Sequence, residues 1–257
     1  MWITEEVPGE WNIGRLTILP KKGDLSLPKN YRGIMLLEVA YKIIAILLHS
    51  RLLPIQEGLD HEPQCGFRPG RGCTDAIYTV KLALKKRREH GLESWVFFLD
   101  LVKAFDRVPR ELLWMILTKF GVPKKLISLL KALHNDFKVK FTVDEITQTL
   151  NCIIGVKQGD ILGPILFTFF IAAVMITWRT LCNIPACIFR SKMDVTMTGR
   201  SYRAYGEEFP VQDSEYADDT GVIFESRKDL EEGIQGHYDA FCSFWNGSTF
   251  RANRTKR

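Results

Sequence analysis

Tyr216-Ala217-Asp218-Asp219-Thr220-Gly221-Val222-Ile223-Phe224 is the stretch on which the fold turns. Two adjacent carboxylates follow an aromatic residue and precede a run of branched apolar ones. The stretch therefore reads as strand, acidic turn, strand. Working outward, Trp95-Val96-Phe97-Phe98-Leu99 is another short run of aromatic and branched residues, which reads as a buried strand ending on Asp100. Buried strands tolerate few charges, so acids at their ends face a site or solvent. If the two strands are neighbours in one sheet, the carboxylates of Asp100, Asp218 and Asp219 converge. Such a cluster repels itself and raises its own pKa values. Two divalent cations would neutralise it. Magnesium takes oxygen ligands and keeps company with phosphates. Two such ions, about 3.5–4 Å apart, activate an attacking oxygen and stabilise a leaving one in phosphoryl transfer. Ordinary turn chemistry also puts Asp at strand ends, so the spacing alone does not decide the matter.

Around these strands the elements mix. Residues 11–19 carry an apolar stretch that ends at Pro20, and Lys21-Lys22-Gly23-Asp24 reads as a turn. Residues 34–53 are strongly apolar and read as a helix that stops before Pro54. Residues 63–73 hold two Pro, three Gly and two Arg, the composition of a loop. Thr74 can cap the next helix, with Ile77, Val80 and Leu84 on one face. Its basic end, Lys85-Lys86-Arg87-Arg88, reads as a solvated last turn favoured by the helix dipole. Helices follow from Pro109 to Gly121 and from about Pro123 to Leu133. Residues 137–143 alternate as a strand, with 147–156 as its hairpin partner. Residues 186–213 read as irregular or β-rich. A last helix starts at Ser226, with Leu230, Ile234, Phe241 and Trp245 inward. Strands and helices mix without regular βαβ alternation, so the fold class is α+β.

Composition excludes little. The chain has 257 residues, 46% apolar and 25% charged, which suits one large domain or two closely packed lobes. A balance of 35 basic against 30 acidic residues is compatible with a nucleic-acid partner without requiring one. The six cysteines form no C-x-x-C pair and no zinc pattern, and read as free, mostly buried thiols of a reducing compartment. Glu5 and Glu6 interrupt any signal peptide. Ile161 to Trp178 is 18 residues without a charge, the lower edge of a membrane span. Gly163 and Pro164 near its start, with Asp160 and Arg179 as close flanks, favour a buried core helix, and no membrane partner is expected.

The local sequence around the acids narrows the reading. Phe98-Leu99-Asp100-Leu101-Val102-Lys103-Ala104-Phe105-Asp106 resembles the first catalytic motif of reverse transcriptases, and Tyr216-Ala217-Asp218-Asp219 resembles their Y-A-D-D hairpin. Further blocks follow in the family's order. Lys21 to Asp24 with Asn30-Tyr31-Arg32-Gly33-Ile34 looks like the fingers motif of non-LTR (LINE-type) retroelement polymerases. Gln64-Cys65-Gly66-Phe67-Arg68-Pro69-Gly70-Arg71 with Thr74 to Ile77 looks like the next block, and Gly155-Val156-Lys157-Gln158-Gly159-Asp160 like the template-and-nucleotide motif. Thr249 to Lys256 is weakly similar to the strand motif after the hairpin. Ile161, Gly163 and Gly33 depart from the family's usual residues, and none is a metal ligand.

The resemblance implies a right-hand polymerase fold, of which these residues would supply fingers and palm, an antiparallel palm sheet packed on helices, with the thumb that the family carries expected to be absent. Residues 1–94 would form the fingers with the first palm helices and 95–257 the palm, with no endonuclease or RNase H. It implies an RNA-directed DNA polymerase that uses an RNA template, a DNA or RNA primer, dNTP and two Mg²⁺ ions, with Mn²⁺ an alternative metal. Asp100, Asp218 and Asp219 would be catalytic and hold the metals, assisted by the Leu101 carbonyl. Lys22, Arg32, Gln158, Gly159 and Lys256 would meet the nucleotide. Phe105 would stand as a steric gate against a ribose 2′-OH, and Arg68 and Arg71 would grip nucleic-acid phosphates. An intracellular ribonucleoprotein, nuclear or cytoplasmic, is the implied setting. The competing expectations are an inert remnant or RNA-binding scaffold, and an RNA-directed RNA polymerase, against which Phe105 speaks.

Overall fold

In the computed structural model, the strands expected at 95–99 and 216–224 are hydrogen-bonded neighbours. The structure describes residues 2–27, 30–59, 61–101, 103–143, 146–197, 200–245 and 250–253, with backbone alone at 143, 191–205 and 250–253. In chain order the elements are β1 (Ile13–Pro20), β2 (Tyr31–Leu36), α1 (Val39–Glu57), α2 (Cys73–Glu89), β3 (Trp95–Leu101), α3 (Arg110–Lys119) and α4 (Lys124–His134). They continue with β4 (Lys138–Val143), β5 (Ile146–Asn151), α5 (Leu162–Cys182), β6 (Cys187–Met197), β7 (Arg200–Val211), β8 (Asp213–Tyr216), β9 (Asp219–Phe224), α6 (Arg227–Phe244) and β10 (Phe250–Asn253). Helices and largely antiparallel sheets mix, as the α+β reading expects. The chain forms two compact units, each discontinuous in sequence: residues 1–61, 103–174 and 244–249, and residues 62–102, 175–243 and 250–257.

The first unit holds a four-stranded sheet of order β2-β1-β4-β5. β1 runs antiparallel to β2, with Pro20 opposite Tyr31, and parallel to β4, with Ile13 opposite Lys138. The apolar stretch 34–53 is therefore not one helix. Residues 34–36 finish β2, because pairing with β1 satisfies their backbone groups, and α1 begins only at Val39. α1 also runs through Pro54, which lacks a donor, and Gly58 N–H closes the end on the Pro54 carbonyl at 3.1 Å. Tyr41, Ala45, Leu48 and Leu52 face the core, while Val39, Ile43, Ile46 and Leu47 stay exposed. Both α1 and α5 are long and apolar enough to cross a membrane. In α5, however, Leu166, Phe167, Phe169, Phe170, Ile171 and Val174 are buried inside the protein, as expected of a core helix.

The second unit is built on a sheet of order β10-β3-β9-β8. β3 alternates, Phe97 and Leu99 buried while Phe98 and Asp100 are exposed. On the buried side Phe224 presses against Gly233 of α6 so closely that a Cβ there would lie 2.4 Å from the ring. Trp178 of α5 stacks on His237 of α6, centroids 3.9 Å apart. The segment expected to be β-rich is a long antiparallel ribbon, β6–β7, with a register shift between Arg190 and Lys192. Its base packs through Cys187, Phe189 and Val211 on Ala83 and Ile223.

Three local expectations are corrected here. α2 is capped from its third residue, the Asp75 carboxylate accepting the Gly72 N–H at 2.7 Å, not by Thr74. The basic end of α2 is not all solvated. Arg87 is buried, paired with Glu225 at 2.6 Å and donating to the Glu93 carbonyl and the Ser94 hydroxyl. All six cysteines are free, but only Cys65 and Cys187 are buried.

Candidate active site

β3 and β9 place the acids. Leu99 lies opposite Thr220 and Phe98 opposite Gly221. Asp100 and Asp219, each one residue further along, thus reach the same end of the ladder on the face of Phe98 and Gly221. β8 and β9 pair from Tyr216↔Asp219, so Ala217 and Asp218 form a two-residue turn. Ala217 has φ 58°, the left-handed conformation that primed hairpin turns require at their first central position. Asp100 and Asp219 are exposed and Asp218 is half-buried.

The carboxyl of Asp219 is raised above the ordinary carboxylate range, first by burial and then by the negative charges of Asp218 and Asp100. This is the mutual repulsion that convergence demands. Among the described residues, no three His, Cys, Asp or Glu side chains close into a ready metal cage. The donors are nonetheless hard oxygens in one electrostatic neighbourhood. Magnesium is usually held by one or two carboxylates, with water and substrate phosphates completing its shell, not by an all-protein cage. In that sense the donor set fits the ion. Asp100 and Asp219 open onto a groove of about 640 Å³ walled also by Ile77 and Val80 of α2 and by Phe98 and Tyr216 of the sheet.

Beneath the hairpin lies a buried polar network with no forewarning in the sequence reading. Arg179 pairs with Asp213 and, at 3.4 Å, with Glu215. Burial lifts both carboxyls to about 7. Gln64, 1% exposed, contacts Glu215 and both backbone groups of Ala217. Gln64 opens the Gln64–Arg71 block, but nothing in its identity announces this contact. Arg68 and Arg71 both engage Glu62, and Arg68 also donates to the Gln64 carbonyl at 3.3 Å.

The expected nucleotide residues gather in the first unit. The Gln158 carbonyl accepts the Met35 N–H at 2.9 Å, which ties the Gln158–Gly159 turn to β2, the strand of Arg32. Gly159 has φ 99°, and a Cβ there would lie 2.9 Å from the Met35 carbonyl oxygen, so this turn needs glycine. The Phe105 carbonyl accepts the Val156 N–H at 2.9 Å, and its ring stacks on Phe167 with centroids 4.5 Å apart. Arg32 and Lys22 are exposed, on β2 and on the turn before it. Lys256 lies outside the described residues. Asp100, Leu101, Asp218 and Asp219 therefore share one unit, and Arg32, Phe105, Gln158 and Gly159 the other.

Comparison with known proteins identifies the family and the fold. The chain is 29% identical to the uncharacterized 149 kDa protein of transposon TX1 from Xenopus laevis, over 88% of this chain and 16% of that protein. It is 28% identical to the probable RNA-directed DNA polymerase from transposon X-element of Drosophila melanogaster, over 93% of this chain and 24% of that one. It is 27% identical to the RNA-directed DNA polymerase from mobile element jockey of the same organism, over 97% and 25%. The chain thus spans a quarter or less of the length of these relatives. Among solved structures, the apo telomerase from Candida tropicalis truncated from its C-terminal domain superposes with a TM-score of 0.64 at 11% identity, covering 99% of this chain and 54% of that one. Telomerase from Candida albicans, in complex with a fragment of telomeric RNA, gives 0.61 at 10%, covering 100% and 45%. The polymerase fold is shared at these identities. The profile of the family described as reverse transcriptase (RNA-dependent DNA polymerase) matches residues 19–257, and this chain belongs to that family.

Proposed function

We propose that this chain is the polymerising core of a non-LTR retrotransposon reverse transcriptase, which adds dNTP to a primer 3′-OH along an RNA template. The observation that carries the reading is the meeting of Asp100, Asp218 and Asp219 at one end of an antiparallel sheet, with Asp219 feeling the charge of the other two. Asp100, Asp218 and Asp219, with the Leu101 carbonyl, would hold two Mg²⁺ or Mn²⁺ ions. When bound, the pair would activate the primer hydroxyl and stabilise the departing pyrophosphate.

The chain's own groups do the positioning. Arg32 and Lys22 are the cations for the triphosphate, offsetting charge on the transferred phosphoryl group. Gly159 lets backbone come close to the nucleotide, and Gln158 flanks it. Phe105, steadied by its stack on Phe167, leaves no room for a 2′-OH. Arg68 and Arg71 would exchange Glu62 for template phosphates, and Lys256 would protonate pyrophosphate. An intracellular ribonucleoprotein is the proposed setting.

Primer extension on an RNA template with dNTP and Mg²⁺ tests this reading. Product is expected, and Asp218→Ala should abolish it. Folded protein that binds primer–template without turnover, and equally well as Asp100→Ala, would instead identify an RNA-binding scaffold. Phe105→Ala should relax the preference for dNTP over NTP, and an unchanged preference would remove the gate from Phe105.

A further inference from the structure

We propose that Gln64 is a positioning residue for the acidic hairpin: its side-chain amide sets the backbone of Ala217 and thereby the carboxylate of Asp218. This rests on the polymerase reading of the hairpin and assigns a role to a side chain outside the acidic set.

The geometry is saturated. Gln64 Oε1 accepts the Ala217 N–H at 2.9 Å and the Gly66 N–H at 2.7 Å. Gln64 Nε2 donates to the Ala217 carbonyl at 3.2 Å and to Glu215 Oε2 at 3.2 Å. These bonds use the full capacity of a primary amide. Two partners can only donate and the Ala217 carbonyl can only accept, so the amide has one orientation. The residue it holds is a non-glycine at φ 58°, a conformation that needs its surroundings to maintain it. The grip extends to backbone. The Cys65 N–H donates to the Glu215 carbonyl at 2.8 Å and the Glu215 N–H to the Pro63 carbonyl at 2.9 Å, so residues 63–65 run along the free edge of β8. Gly66 passes so near that a Cβ would lie 2.2 Å from the Ala217 nitrogen. From below, Arg179 holds Glu215 in place. Asp218 is thus joined directly to a turn residue clamped at both its N–H and its C=O.

The test is the full chain carrying Gln64→Met, which keeps bulk and loses all four bonds. With folding checked by circular dichroism, kcat for primer extension should fall on the order of 100-fold, the scale of a misplaced catalytic group. The KM for dNTP should barely move. Half-saturating Mg²⁺ should rise about tenfold, as when an outer-shell partner of a metal ligand is lost. Hydrogen exchange supplies a readout independent of activity: the Ala217 and Gly66 amides should be protected in the wild type and exposed in the variant. Gln64→Glu keeps the shape and the acceptor oxygen but loses both donors. If Gln64→Met does not fold, this variant should lower kcat and raise half-saturating Mg²⁺ in the same direction, with the Ala217 and Gly66 amides still protected. Wild-type kcat and Mg²⁺ dependence in a folded variant would overturn the inference, as would a freely exchanging Ala217 amide in the wild type. If the wild type extends no primer, the polymerase reading fails, and Ala217 exchange together with Mn²⁺ binding by wild type and variant decides the role of Gln64.

Discussion

His237 sits fully buried between Trp178, Phe97 and Phe241, and neither ring nitrogen has a hydrogen-bond partner among the described residues. Burial, with Arg179 as a lesser cause, depresses it to about 3. A depressed histidine contributes stability that is lost as pH falls, because the unfolded chain takes up a proton below about 6.5 that the folded chain refuses. His237→Phe keeps the stacking and removes two unsatisfied polar atoms. It should stabilise the protein by about 1 kcal/mol at pH 7 and by more at pH 5, read from urea unfolding. Asp213 and Glu215 carry the opposite sign. Their folded pKa values, about 7, lie above the unfolded ones, so their contribution is complete below the ordinary carboxylate range and lost as pH rises towards 7. Asp213→Asn should flatten the decline in stability between pH 5 and pH 7, and an unchanged slope would show that the pair does not titrate. Asp100 and Asp219 were legible as strand-end acids from apolar flanks alone. His237 was not, because on α6 its helical position predicts only a face, and its environment comes from α5 and β3.

The loop at residues 152–160 shows what one element needs from others. Lys157 is buried, its ammonium donating to the Leu133 carbonyl at 2.6 Å and lying 3.8 Å over the Phe137 ring. Burial brings it down to about 7. Tyr41 of α1 joins it to Asp160, accepting from Lys157 and donating to the carboxylate. Arg110 of α3 donates to the Gly155 and Cys152 carbonyls, at 2.8 and 2.7 Å. Tyr41→Phe leaves Asp160 and Lys157 without their shared partner and should cost about 1–3 kcal/mol, measured by chemical denaturation. Gly159→Ala should cost a similar amount, about 1–3 kcal/mol, because it sets a left-handed backbone against the Met35 carbonyl. It should also weaken dNTP use in primer extension. The motif was legible as letters, and glycine signalled close approach. The division of residues 34–53 between β2 and α1 was not legible, since a continuous apolar run satisfies a strand and a helix equally until a pairing partner is known.

Across the molecule, stability and the proposed activity pull apart at the acidic end of the sheet. Three carboxylates in one neighbourhood repel, and Asp219 registers that repulsion. Asp100→Asn should raise the thermal midpoint of the metal-free protein by about 1 °C, a small effect because the side chains are exposed, and abolish primer extension. Added Mg²⁺ should then stabilise the wild type more than the variant in calorimetry, since binding to the folded state alone shifts the midpoint. Equal stabilisation of both would remove Asp100 from the metal site. Family and fold class were legible at this scale because the motif blocks lie in the order the family uses along nearly the whole chain.

By itself the sequence determined the family, the α+β class and the three acidic positions, since apolar runs ending in acids and ordered motifs are local patterns that survive without partners. Tertiary structure alone decided how the acidic hairpin is held. Gln64 and Ala217 are 153 residues apart, and Arg87 and Glu225 are 138 apart. A polar side chain reads as surface in a sequence. Only the fold brings up the distant group that lets it be buried, because burial without that partner costs more than the contact returns.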